Sequence, residues 1–223
     1  LMAPGTEVFC DTYIAESLDH DMDAMWHYFQ ELNTQSGLKD VRLNDHQGYK
    51  YAPDPVEKVT VLHDGDTLQV GQYHFRCLST PGHAPDHLCL YEPEQKILFS
   101  GDHILGNITS NNTIWDAPWT VQRDLLGEYL ANLDRIAALD ISITLPGHRD
   151  MIADCYARIR ELKLHHQHRL DDILRILGKE KMNGYQVASQ MKWSMRNVSW
   201  QDFPLPQKIF ATGEALSHLT HLV

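Results

Sequence analysis

Residues 80–105 read TPGHAPDHLCLYEPEQKILFSGDHIL, and the fold turns on how this stretch is divided. His87 to Tyr91 is a short apolar run, Glu92-Pro93-Glu94 supplies a turn, and Lys96 to Ser100 returns as a second run. This is the pattern of two strands joined by a hairpin. Thr80-Pro81-Gly82-His83 stands before it and Ser100-Gly101-Asp102-His103 closes it. In both tetrapeptides a glycine lets the backbone turn at a strand end, and a side chain able to bind metal projects just after it.

The strand pattern continues upstream. Val59 and Val61, then Leu68 and Val70, then Tyr73, Phe75 and Cys77 mark short strands, with turns at Asp64-Gly65-Asp66 and Gly71-Gln72. A meander of hairpins with one buried face is expected. Asp19 to Leu32 reads as a helix with acids in its first turn, and 33–55 as an irregular connection. Downstream, Arg123 to Leu139 is an amphipathic helix with Leu126, Tyr129, Leu130, Leu133, Ile136 and Ala137 on one stripe. Asp140 to Leu145 is a short apolar strand, stopped where Pro146 cannot donate to a ladder. It leads into Leu145-Pro146-Gly147-His148, a third strand end of the same design. Ala153 to Leu177 is a long helix closed by Gly178, and 183–223 holds two shorter helices around a Trp-rich link from Trp193 to Trp200. The expected class is α/β (α+β), a sheet with helices outside it, with one domain over 1–154 and a helical appendage over 155–223.

Composition bounds the function. The 223 residues are 43% hydrophobic and 22% charged, which sets aside disorder, collagen and coiled coil. No apolar run approaches the roughly 20 residues of a membrane helix, so no membrane partner is expected. The net charge is −11, unevenly placed: 9 basic and 24 acidic side chains in 1–154, 10 basic and 6 acidic in 155–223. An acidic body disfavours a nucleic-acid partner, and the +4 tail lacks a dense Lys/Arg patch. Cys10, Cys77, Cys89 and Cys155 form no CxxC pair and are too few for a disulfide scaffold, so a reducing, cytoplasmic setting is expected.

Three strands ending side by side would bring His83, Asp102 and His148 together. Imidazole nitrogen and carboxylate oxygen are ligand types of zinc, iron and manganese. Each tetrapeptide alone is more often a surface turn; all three in this order are far more specific. Among the 14 histidines, others invite plainer readings. His103 packs or faces the site; His87 opens a strand and supports structure or the ligands rather than binding metal. His165, His166 and His168 lie on a helix, where only 165 and 168 share a face; a partly exposed helix face is expected for them, with a substrate rim or dimer contact as the alternative. Asn107 to Asn111 form a polar loop able to line a substrate mouth. Trp115 and Trp119 rim an entrance or cap the core, and Trp193 and Trp200 pack in the core.

The chain resembles the metallo-β-lactamase fold superfamily. Residues 80–105 look like that family's third and fourth metal motifs joined by their hairpin, and LPGH at 145–148 like its last. The likeness extends into the tail, where ELKLHHQHRLDDILRIL and GEALSHL at 213–219 look like the winged-helix-like C-terminal unit of one branch, which includes lactamase-like thioesterases and endoribonucleases. Asp86 in PGHAPDH fits that branch. The resemblance implies an αββα sandwich with one or two metals at the edge between sheets. It places His83 on one metal, His148 on the other and Asp102 between them, with zinc as the expected ion and iron or manganese as alternatives.

The family's HxHxDH is not present. Leu18-Asp19-His20-Asp21-Met22-Asp23 has one histidine where three are required and reads as an acid-rich helix start. HxHxDH and the strands before it are therefore expected upstream of Leu1, an expectation that the start Leu1-Met2-Ala3-Pro4 supports. On this reading the domain is N-terminally incomplete and metal occupancy is low, because catalytic zinc usually keeps three protein ligands. For the intact parent the expected activity is metal-dependent hydrolysis of a small ester, thioester or lactone. Competing readings are a metallo-nuclease using the C-terminal unit, an inactive binding relative, and iron-dependent oxidation of a sulfur substrate.

Overall fold

In a computed structural model of the chain, the described residues are 6–223 except 19, 43, 45–46, 51–57, 119–121, 179 and 195–197. The Leu1-Met2-Ala3-Pro4 start, Asp19 and Trp119 therefore lie outside them. In chain order the elements are β1 (Phe9–Cys10), α1 (Thr12–Ser17), α2 (Met22–Gln35), α3 (Gln47–Lys50), β2 (Thr60–Val61), β3 (Thr67–Val70), β4 (Tyr73–Ser79), β5 (Leu88–Glu92) and β6 (Ile97–Gly101). Then come α4 (Leu125–Ala137), β7 (Ile143–Pro146), α5 (Cys155–Leu177), α6 (Gly184–Gln190), a 3-10 turn (Trp200–Asp202) and α7 (Leu205–His221).

The chain divides into two compact units. One holds Leu1–His20, Asp54–Ser110 and Leu125–Leu164; the other holds Asp21–Pro53, Asn111–Asp124 and His165–Val223. The sequence expectation drew one boundary near 154. The division instead falls within α5 and gives the second unit two earlier segments, because such units follow spatial packing rather than chain order.

In the first unit β3 to β7 form one five-stranded sheet in the order β3-β4-β5-β6-β7. The first three pairings are antiparallel hairpins and β6 with β7 is parallel, reached through α4. Thr60–Val61, expected to begin the meander, instead pairs in parallel with Phe9–Cys10 as a separate two-stranded sheet. One face of the larger sheet carries buried Leu78, Cys89, Tyr91, Leu98 and Thr144. Helix α4 buries Leu126, Tyr129, Leu133 and Ile136 of the expected stripe and Leu125 besides, while Leu130 and Ala137 are only partly buried. The strand end is pinned to α4 by Asn132 Nδ2 donating to Pro81 O (3.1 Å) and Arg135 Nη1 donating to Ser79 O (2.9 Å). The opposite face carries Leu68, Val70, Tyr73, Phe75 and Phe99, of which Val70, Tyr73 and Phe99 are exposed. The Phe75 and Phe99 rings meet edge-on at 5.5 Å.

The second unit is helical. Asp21 caps α2 by accepting from Asp23 N and Ala24 N, so the acid-rich decoy is a helix start. Asn183 and Gln186 form a reciprocal capping box on α6. Ile173, Val187, Ala188, Met191 and Ala215 form its core, with Trp193 and Trp200 packed against it as expected. Residues 155–223 hold no strand among those described, so no β wing is seen there. No helix among the described residues is long and apolar enough to cross a membrane. The four cysteines are free, with Cys77, Cys89 and Cys155 buried.

Candidate metal centre

β4, β6 and β7 run the same way and end at one edge of the sheet, with the start of β5 between β4 and β6, and the three glycine-turn motifs follow them. Asp102 Oδ2 lies 3.6 Å from His83 Nε2 and 3.4 Å from His148 Nε2. The structure thus gathers all three residues expected from the sequence around one carboxylate oxygen. His148 is the exposed member, its side chain 66% accessible against 26% for His83 and 27% for Asp102.

Each member is aimed by local backbone. Gly101 has φ +50, a left-handed conformation that favours glycine, at the end of β6. Gly147 N–H donates to Gly101 O at 2.8 Å, tying the second strand end to the third. A Cβ at Gly147 would stand 2.8 Å from Asp102 Oδ1, so glycine is what lets that carboxylate sit between the loops. Arg149, just after His148, has φ +70, uncommon for a bulky residue. The chain then returns so that Thr144 and Ile152 exchange backbone hydrogen bonds at 3.0 and 2.9 Å.

The Asp102 peptide is held on both sides. Its N–H donates to His87 Nε2 at 3.1 Å, and its carbonyl accepts from Ser110 Oγ at 2.5 Å. His87 Nδ1 stands 2.9 Å from Thr80 Oγ1, and burial pushes the His87 pKa down to about 4. His103 is fully buried, 4.7 Å from the Tyr129 ring, with no hydrogen-bond partner for either ring nitrogen among the described residues. Its carbonyl accepts from Tyr129 Oη at 3.0 Å. Burial raises the Asp86 carboxyl. In the loop expected to line a mouth, Asn107 Nδ2 reaches Asp150 Oδ2 at 3.4 Å. Both border a hollow of about 280 Å³ that Ile152 and Arg158 also line.

The donor chemistry suits metal. Two ligands on one ion at about 2.0–2.1 Å and a tetrahedral angle stand roughly 3.3–3.5 Å apart. The two imidazole-to-carboxylate distances fall close to that range. No group of three or more His, Cys, Asp or Glu side chains is arranged to hold a single ion among the described residues.

A second polar cluster, in the other unit, escaped the sequence reading. Of the three α5 histidines expected on a partly exposed helix face, His166 instead turns inward and is 1% accessible. Its Nδ1 lies 3.1 Å from His218 Nε2 on α7, and its Nε2 lies 3.2 Å from Asn112 Nδ2. His218 Nδ1 lies 2.8 Å from Glu214 O, so that nitrogen donates. The same unit encloses an apolar cavity of about 60 Å³ walled by Trp26, Phe29, Trp115, Ile209 and Phe210.

A family model described as the metallo-beta-lactamase superfamily matches residues 5–148. The chain is 32% identical over 133 residues to the lactamase-like protein adaB of Aspergillus niger, covering 60% of this chain and 38% of that protein. It is 32% identical over 155 residues to the thioesterase pkgB of Emericella nidulans, covering 67% of this chain and 41% of that one. The chain thus spans about two fifths of the length of these relatives. The crystal structure of a metallo-beta-lactamase family protein from Thermus thermophilus superposes with a TM-score of 0.80 at 27% identity, covering 98% of this chain and 66% of that one.

Proposed function

We propose, given that the chain belongs to the metallo-β-lactamase superfamily, that it carries part of the centre of a metal-dependent hydrolase acting on a small ester, thioester or lactone. The observation that carries this reading is the convergence of His83 and His148 on one oxygen of Asp102. The relatedness to a protein named thioesterase supports an acyl substrate. Zinc is the proposed ion, with iron or manganese accepted by the same donor types.

When bound, the ions would lower the pKa of a water and polarise the carbonyl under attack. The residues' own work is to hold and orient. His83 and His148 each offer an Nε2 lone pair, which requires both rings neutral, and Asp102 offers a carboxylate between them. The 280 Å³ hollow offers Asn107 as a hydrogen-bond donor and Asp150 as an acceptor to a bound small molecule.

The test is hydrolysis of a short acyl thioester at saturating zinc by the intact protein that carries this centre, followed by thiol release. Zinc-dependent turnover that falls about 100-fold or more in Asp102→Asn is expected, the scale of removing charge stabilisation from an active site. Turnover indifferent to chelator and to Asp102→Asn would overturn the reading.

A further inference from the structure

We propose that His87 is a positioning residue for Asp102, holding in one neutral tautomer the peptide that presents the shared carboxylate; this rests on the metal-centre reading of Asp102. The tautomer follows from its partners. Asp102 N–H can only donate, so His87 Nε2, 3.1 Å away, carries the lone pair and the ring proton sits on Nδ1. That proton is donated to Thr80 Oγ1 at 2.9 Å. The Thr80 hydroxyl passes its own proton onward, with His87 O and Cys89 Sγ both 3.3 Å away. Thr80 is fully buried.

Space for this arrangement is built into the backbone. A Cβ at Gly101 would lie 2.7 Å from His87 Nε2, so the glycine needed for the turn also admits the ring. With Ser110 holding the Asp102 carbonyl and Gly147 N–H holding Gly101 O, the peptides flanking Asp102 are fixed. The carboxylate itself lies against Gly147, where a Cβ would stand 2.8 Å from Oδ1. A histidine present only to fill space would not need its Nε2 lone pair directed at this one amide. Partners of this kind orient the groups that bind metal, and losing them typically weakens binding about 10–100-fold.

The test uses the isotopically labelled chain with zinc as the added metal. At neutral pH the ¹⁵N signals of His87 are expected to show a protonated Nδ1 and a bare Nε2. His87→Gln places an amide oxygen near the Nε2 position and should keep Asp102 amide exchange within about threefold of the parent. His87→Asn reaches Thr80 but not Asp102. It should speed that exchange about tenfold or more, leave the Leu98 and Phe99 amides unchanged and weaken zinc binding about 10–100-fold. Thr80→Val, nearly the same shape, should act in the same direction with His87 in place. An Nε2-protonated ring, or Asp102 exchange unaltered by His87→Asn, overturns the proposal. Failure of the parent chain to bind zinc would instead overturn the metal reading, while tautomer and exchange still decide the role of His87.

Discussion

Four side chains meet Asp102: two imidazoles at its carboxylate, a third at its amide and a hydroxyl at its carbonyl. His83, Asp102 and His148 were legible in the sequence because each sits in a local device, a glycine turn at a strand end followed at once by a ligand-type side chain. His87 was legible only as a support residue. Which nitrogen faces Asp102 depends on how β4, β5 and β6 pair, and that is not written in any one segment. The fit at Gly147 gives a residue-scale prediction. Gly147→Ala would push a methyl to 2.8 Å from Asp102 Oδ1 and displace the carboxylate. Zinc affinity should fall about tenfold or more while the thermal midpoint moves by only a few degrees, since the change is local. Titration calorimetry beside thermal melts checks it; unchanged affinity would show that the carboxylate is not held there.

At the scale of elements, the joint between α5 and α7 is polar where the helical pattern suggests apolar packing. His218 Nδ1 donates to Glu214 O, which leaves its Nε2 to accept from His166 Nδ1, whose Nε2 then accepts from Asn112. Both rings are neutral in this chain of bonds. Burial is the main cause, pushing His218 down to about 4 and His166 down to about 2, and Arg169, His165 and His221 nearby act in the same direction. In the unfolded chain both take up protons near pH 6.5. The unfolded state therefore binds more protons below that value. This part of the stability is complete above about pH 6.5 and is lost as pH falls through 4 towards 2, at up to about 1.4 kcal/mol per pH unit for each proton. Urea unfolding at pH 7 and pH 5 should show a lower midpoint at pH 5, and His166→Leu should flatten the difference. Equal midpoints for the parent at both values would refute it.

Beside this joint, Arg169 Nε meets Glu214 Oε1 at 3.2 Å and its guanidinium lies 4.2 Å over the Trp193 ring. Both partners are largely buried, and burial raises the Glu214 carboxyl. Arg169→Met would leave a buried carboxylate unpaired and should cost about 3–5 kcal/mol in chemical unfolding. Arg169→Met with Glu214→Leu should recover most of that loss; a double variant no more stable than the single would locate the cost elsewhere. Spacing along one helix cannot show which stripe a partner helix covers, so this pair was not legible in the sequence.

On the scale of the whole chain, the ligand count sets the expectation for metal. Catalytic zinc usually keeps three protein ligands, whereas His83 and His148 each pair with one shared carboxylate. Equilibrium dialysis of this chain should find weak zinc binding that Asp102→Ala abolishes. Two tightly held ions per chain would show that ligands beyond these three take part.

The sequence by itself determined the strand meander from Leu68 onward, the amphipathic α4, the end of α5 at Gly178 and the three glycine-turn motifs. These are short-range: period, turn residue and cap are all encoded within a few neighbours. Only the tertiary structure decided which ring nitrogen grips Asp102 and which α5 histidine is buried. It also decided that Thr60–Val61 pairs with Phe9–Cys10, far away in the chain. Those outcomes depend on which surfaces meet after folding, and the free energy of burial and hydrogen bonding that selects them is shared between segments no local pattern connects.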